Sequence, residues 1–513
     1  MKPQPLDKIT IPLMLLLCLL IGALAWSGDH AAAKVRDFTW QDKDVGAVDR
    51  AFILNFSRPM DHASVEANLK IAPPLPGKIS WAGRRLAYTL TMPPPYGEKF
   101  QLTLQGAKDR LSSGSTNQRV MQPFSATFYS RDRAFAYIGA KGDETGRLVL
   151  SNLTKQTQDI LTPKHLVVTN FKIFPDAQRI LFSAIDRTNK SASLLDQQLY
   201  TVTTGITVQA PPEPGTQLSS PWWAWWMQEK LPEPIPAKTI TRLLGDSDYQ
   251  RYQLQQFDLA VDGKTLVIKR STRQKTNPTF GIWSVALDTT GAIIGKPTLL
   301  SNKATGEFSI TPDGGSLAIS EGQGLAITPI TPNAKPLDFL PKFGQLLSFA
   351  QDGTKALTVK FNTDYTRSLF LVTNQGQQTE LLKITGSILS AVFDPTGQFA
   401  YCILTKVIPG KTYQEQPFLA MVNLKTQETI PLLALPQQLD VAMSLSPDGL
   451  GLLLDQITPQ KAQPTDLLIT RSGQAIADSQ LWLLPIIPGN PQAQKTIPPE
   501  KLLLAGIRPQ WLP

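Results

Sequence analysis

The apolar positions of this chain fall into three successive patterns. Ile9 to Trp26 is an uncharged, almost wholly apolar run, preceded by Lys2 and Lys8 and followed by Ser27, Gly28 and Asp29. From about residue 35 to 130 the pattern changes to short alternating runs, such as Ala51-Phe52-Ile53-Leu54-Asn55-Phe56, Leu86-Ala87-Tyr88-Thr89-Leu90 and Phe100-Gln101-Leu102-Thr103-Leu104. A period of two predicts strands with one buried face. The proline clusters at 73–76 and 93–95 cannot lie in central strands and mark turns, so about seven strands of a small sandwich are expected here.

From residue 131 onward one cassette recurs: an apolar strand, a Pro-Asp-Gly-like turn, then a second apolar strand. The copies are Phe171-Lys172-Ile173-Phe174-Pro175-Asp176, Phe257 to Gly263, Phe308-Ser309-Ile310-Thr311-Pro312-Asp313-Gly314, Leu347 to Gly353, Val392-Phe393-Asp394-Pro395-Thr396-Gly397 and Met443 to Gly449. Proline presets φ, the aspartate side chain caps the turn, and glycine supplies the positive φ a tight reversal needs. After the first interval the copies recur roughly every 40 to 50 residues, the spacing of a four-stranded propeller blade. Third strands follow, as at Gln198–Val202, Ile282–Val285, Leu369–Val372, Phe418–Val422 and Leu481–Leu484, and then fourth strands at Pro297–Leu300, Thr379–Leu382 and Leu502–Leu504.

Residues 133–162 contain three strands and lack the innermost one, while Ile507-Arg508-Pro509-Gln510-Trp511 has the missing strand's pattern. One blade is therefore expected from the two ends of this region, pairing edges that an open sheet would leave exposed. Six cassettes plus this composite give seven blades. The long first interval has room for an eighth, but residues 210–250 are so rich in proline that an insertion between blades two and three is expected instead.

The expected fold is thus all-β: a seven-bladed β-propeller (131–513) preceded by an Ig-like β-sandwich (35–130) and one N-terminal transmembrane helix (1–34). Two resemblances bear on it. Phe56-Ser57-Arg58-Pro59-Met60-Asp61, then Val65, Leu69, Ile71, Pro73, Trp81 and the Phe124–Phe128 strand, resemble the bacterial Ig-like domain of the SbsA type, which implies a spacer or adhesion module. The cassettes resemble the TolB-type, WD-like propeller repeats of bacterial envelope proteins, which implies a docking platform more than an activity. Thr396 departs from the repeat's aspartate, and the cassettes at 262 and 352 lack its proline.

The N-terminal run decides the compartment. Its length suits a retained anchor better than a signal-peptide core, and the basic residues before it place the bulk outside the cytoplasm. The Ala23-Leu24-Ala25 triplet keeps open cleavage near Ala25 and secretion. Leu17 stands where a lipoprotein signal at Cys18 requires a small residue.

Composition narrows the chemistry. The formal net charge is +9, with no long basic run. The densest basic stretch, Lys269, Arg270, Arg273 and Lys275, has no interleaved stacking aromatics and reads as a solvated loop, so no nucleic-acid partner is expected. The two cysteines, Cys18 and Cys402, exclude a disulfide framework by position, and His30, His62 and His165 lack ligand spacing, so no metal or small-molecule cofactor is expected. No histidine follows His165, so the propeller resemblance brings no serine-hydrolase triad with it. Asp246 with Asp248, and Asp143 with Glu144, read as solvated loop carboxylates, the former short of oxygen ligands for calcium. Arg58 and Asp61 flank a proline turn and are expected to pair across it.

One segment is conspicuous. Four of the ten tryptophans lie within five residues, Trp222, Trp223, Trp225 and Trp226, inside the proline-rich insertion. Indoles have an apolar body and one donor, which suits a membrane interface or a partner's pocket, while packing within the chain or sugar stacking are the alternatives. The expected function is a membrane-tethered, extracytoplasmic interaction scaffold without enzymatic activity, binding a protein or envelope polymer through a propeller face. The alternative is a hydrolase or lyase acting on a glycan or peptide in the propeller funnel, where Asp258 and Lys172 are the few charges on the inner strands.

Overall fold

The computed structural model describes residues 7–30, 32–110, 120–188, 193, 195–212, 235–273, 278–302, 306–321, 324–331, 344–410, 412–463, 466, 468–470, 472–489 and 491–513. It is all-β apart from short helices and the N-terminal helix Asp7–His30. That helix carries the apolar run, and Leu13 to Leu17 and Leu19 to Ile21 are exposed along it. Among the described residues no helix is long and apolar enough to cross a membrane.

Residues 35–130 form two four-stranded sheets, one ordered Val35–Phe38, Ala51–Phe56, Arg85–Leu90, Gly77–Ala82, the other Asp44–Val45, Phe124–Ser130, Lys99–Leu104, Leu69–Ala72. Strict alternation turns Phe52, Leu54 and Phe56 of one sheet and Phe100, Leu102 and Leu104 of the other into a single core around Trp40. Among the described residues there are eight strands here, one more than the count expected. The unexpected element is a helix, His62–Asn68, and Asp61 is its N-cap, its Oδ1 accepting the Ser64 N–H at 3.3 Å. Arg58 pairs instead with the buried Asp109, at 4.0 Å, so the Arg58–Asp61 pairing is corrected.

Among the described residues from 131 onward there are seven antiparallel sheets, six with four strands and one, Phe308–Ile310, Ser316–Glu321 and Gly324–Pro329, with three. Each packs on the next through an apolar cluster. Ile138 and Leu150 of the first sheet meet Phe171 and Phe182 of the second. Leu181 and Leu199 meet Phe257 and Ile268 of the third, and Val267 and Ile282 meet Phe308 and Leu317 of the fourth. Ala318 meets Ala356 of the fifth, Leu357 and Leu369 meet Cys402 and Leu404 of the sixth, and Tyr401 and Leu419 meet Leu452 and Leu454 of the seventh. The succession then closes: Leu453, Leu481 and Leu483 of the seventh sheet pack on Phe135, Tyr137 and Trp511 of the first.

That closure is the pairing the pattern predicts. Strand Gly506–Trp511 lies beside Ala134–Gly139, with Ile507 opposite Ile138 and Trp511 opposite Phe135. Trp511 Nε1 donates to the Ser444 carbonyl at 3.1 Å, and its ring meets Phe135 edge-on at 5.4 Å.

The cassette turns behave as their chemistry dictates. Asp176, Asp262, Asp313, Asp352 and Asp448 each accept the backbone N–H two residues on, and Gly263, Gly314, Gly353, Gly397 and Gly449 have positive φ. At the departing turn Asp394 takes over the capping, accepting from Thr396 N at 3.1 Å and Gln398 N at 2.8 Å.

Two expectations shift. The outermost strand of the seventh sheet is Glu500–Lys501, just before the expected Leu502–Leu504. Strand Ile240–Arg242 pairs with Gln198–Thr203, so the proline-rich insertion lies within the second sheet, between its third and fourth strands, and not between two sheets.

Candidate functional site

The cassette turns all lie at one end of their strands, and the sandwich is fastened there. Tyr96 N donates to Asp448 Oδ2 at 2.9 Å, and Arg50 donates to the Pro395 carbonyl at 3.0 Å. Arg131 Nη1 bridges the Pro175 carbonyl at 3.1 Å and the Pro513 carbonyl at 2.9 Å. Asp44 N donates to the Gln209 carbonyl and Asp44 Oδ2 accepts the Gln209 N–H, both at 2.8 Å, so the start of the insertion runs along the sandwich edge.

A recess of about 470 Å³ lies at the opposite ends of the inner strands. Leu166–Ile173 contributes Thr169 and Asn170, Tyr252–Leu259 contributes Gln255, and Gly506–Trp511 contributes Ile507 and Arg508. The inner strands of the second, third, fifth and sixth sheets each break register once, at Val168/Asn170, Leu254/Gln256, Leu346/Ser348 and Ile388/Ser390, and the closing strand does so between Ile507 and Gln510. One extra residue re-aims a side chain. Three of the residues at these bulges, Thr169, Gln255 and Arg508, line the recess.

Arg508 is the pivotal member. Its φ of 53° lies in the left-handed region that non-glycine residues seldom occupy. Its guanidinium donates to the Thr169 carbonyl and its backbone N–H to Asp455 Oδ2 at 2.8 Å. Asp455 is buried, and its Oδ1 accepts the Ala442 N–H at 2.6 Å. Burial pushes the Asp455 carboxyl up to about 6, against the lowering effect of the Arg508 and Ala442 N–H groups and with the Asp440 charge adding to the rise. Asp440 and Asp455 thus stand beside Arg508 at the edge of the recess. Chemically this is a polar recess with hydroxyl, carboxamide and guanidinium groups, and the buried Asp455 carboxyl lies behind Arg508.

The residues singled out in the sequence are placed differently. Trp222, Trp223, Trp225 and Trp226 lie outside the described residues. Asp258 Oδ1 pairs with Lys172 Nζ at 2.9 Å and its Oδ2 accepts the Ile310 N–H at 3.2 Å, tying three inner strands together. Asp246 pairs with Arg242, Asp248 with Arg270, and Asp143 with Lys164. Glu144 accepts from Tyr137 at 3.0 Å, and the His165 carbonyl accepts from Arg187 N at 2.8 Å. Among the described residues no group of three or more His, Cys, Asp or Glu is placed to hold a metal ion.

The basic stretch is corrected. Lys269 and Arg270 are buried on strand Thr265–Thr272, with the Arg270 guanidinium 4.4 Å from both the Tyr252 and Trp283 rings, while Arg273 pairs with Asp196 at 2.7 Å. Lys275 lies outside the described residues. The aromatics that hold Arg270 are distant in sequence, which is why the stretch resembles a solvated loop.

No family model matches the chain, and no curated protein matches it. Solved structures of similar shape include TolB from Acinetobacter baumannii, at 11% identity over 87% of this chain and 83% of that one, with a TM-score of 0.36. An oligogalacturonate lyase from Vibrio parahaemolyticus is 13% identical over 60% of this chain and 80% of that one, with a TM-score of 0.39. An oligogalacturonate lyase in complex with manganese is 12% identical over 67% and 83%, with a TM-score of 0.40. Likeness at this level carries no conclusion about activity.

Proposed function

We propose that the seven sheets are the blades of a seven-bladed propeller, that the sandwich is an Ig-like spacer, and that the protein is a non-enzymatic scaffold. In this reading it is held at a membrane outside the cytoplasm through Ile9 to Trp26, or released after cleavage near Ala25. The recess end of the propeller binds a protein or envelope polymer. The observation that carries the reading is the asymmetry of the two ends. Four polar joints fasten the sandwich to the turn end, so a tether entering through the sandwich leaves the recess end outward. The exposed apolar side chains of the N-terminal helix support the tether.

The tryptophan segment has a place in this reading. In it Trp222, Trp223, Trp225 and Trp226 supply contacts to a membrane interface or to a partner held close to one. The test is affinity purification from solubilised membranes. A stoichiometric partner retained by the wild type, and lost when the recess residues Gln255 and Arg508 are replaced, supports the reading. Recovery of the protein alone and from the soluble fraction overturns it.

A second reading has one observation in its favour: a buried carboxyl raised to about 6 beside Arg508, at the edge of a polar recess. It is a hydrolase or lyase acting on a glycan or peptide there. Turnover in a substrate screen that disappears in Asp455→Asn would establish it.

A further inference from the structure

A second cavity, of about 220 Å³, lies between the sixth and seventh sheets, under the connector that joins them. Leu433, Leu435, Val441, Leu454 and Trp482 wall it, and its polar lining is Gln438, Asp455 and Gln456. The hydrogen bonds of that lining can be followed group by group. Gln456 Oε1 accepts from Trp482 Nε1 at 3.1 Å. Asp455 gives its two oxygens to the Ala442 and Arg508 N–H groups, and the Gln438 backbone N–H goes to the Pro436 carbonyl at 2.7 Å. Gln438 Nε2, sealed from solvent, has no partner among the described residues.

A buried amide donor without an acceptor costs about 1–3 kcal/mol, and native folds rarely keep one without cause. Here it lines a cavity in which Gln456 Oε1 and both Asp455 oxygens already have donors. We propose that this pocket binds a compact, uncharged amphiphile, an aromatic or branched aliphatic body bearing one carbonyl acceptor that takes the Gln438 N–H. Size sets the scale: a dry apolar cavity of about 150 Å³ holds benzene, so this one holds a ring and a short substituent. The Asp455 carboxyl in the lining repels an anionic ligand, and the apolar walls make desolvating a full charge of either sign costly. Apolar walls make burial of the body favourable at about 25 cal/mol per Å². The pocket is separate from the recess and stands independently of the scaffold reading.

The test uses the whole protein and two probes of like shape, acetophenone and ethylbenzene, titrated by protein-observed NMR. The Trp482 indole N–H, assigned through Trp482→Phe, serves as the reporter. Acetophenone should saturate the site and bind up to about ten-fold more tightly than ethylbenzene, the worth of one hydrogen bond. In Gln438→Leu the two probes should bind alike, and in Val441→Phe, which enlarges a partly buried wall side chain, neither should bind. Equal binding of both probes to the wild type, no saturable binding, or a preference that survives Gln438→Leu overturns the proposal. Val441→Phe keeps the test decisive should Gln438→Leu fold poorly.

Discussion

Asp448 accepts the backbone N–H of Tyr96 at 2.9 Å, across 352 positions of sequence. The same carboxylate caps its own turn through Leu450 N at 3.0 Å, so one buried side chain both closes a hairpin and anchors the sandwich. Asp448→Ala removes both acceptors and leaves buried N–H groups unpaired, which predicts a loss of about 2–4 kcal/mol in denaturant unfolding. Proteolysis between the sandwich and the first sheet, near Arg131, should become faster. An unchanged cleavage rate would mean that the joint does not hold the two parts together.

Gly449, in the same turn, has φ of 75°, and a Cβ there would lie 2.9 Å from the Pro395 ring. Gly449→Ala is therefore expected to cost more than the roughly 1 kcal/mol of left-handed strain alone. Gly376 has φ of 79° with open space around it and serves as the control. Gly376→Ala should cost only the strain, and equal losses at both sites would refute the clash.

Asp455 predicts a pH dependence. Its carboxyl is raised to about 6 in the fold, above its ordinary value near 4, so the folded protein holds this proton more tightly than the unfolded chain. Its contribution to stability is complete below about pH 4 and is lost as pH rises through 6, on the order of 2–3 kcal/mol in total. The difference in unfolding free energy between pH 4.5 and 7.5 should shrink in Asp455→Asn, which cannot titrate. A wild-type slope retained in that variant would assign it to other groups.

Arg270 lies between the Tyr252 and Trp283 rings and pairs with Asp248 at 2.9 Å. Lysine keeps the charge but not the planar fork or the stacking, so Arg270→Lys should lose about 1–3 kcal/mol in thermal unfolding. Full rescue by lysine would reduce the site to simple charge pairing.

Much of this architecture is legible because its signals are local. The cassette turns need only proline, aspartate and glycine in order, and the closing strand shows its apolar alternation around Ile507 and Trp511. The third-dimensional choices are less visible. Asp394 replaces the missing turn aspartate from two positions earlier, while Arg58 passes over Asp61 to reach Asp109. The recess residues Thr169, Gln255 and Arg508 are hidden by the bulges that aim them, since each bulge reverses the period-two phase within one short strand, leaving too few residues on either side to show it. Arg270 looks solvated until the strands carrying Tyr252 and Trp283 are brought beside it.

The first sheet is the one whose inner strand is joined to its neighbour by no covalent turn; Arg131 spans that gap by grasping the carbonyl oxygens of Pro175 and Pro513. The chain enters from the sandwich at this same point. A pulling force applied from the N-terminal side is therefore delivered directly to the seam, where stretching Arg131 away loads the last strand before any hairpin is strained. Under tension the molecule should yield first by peeling off residues 506–511, which makes that strand its mechanical fuse.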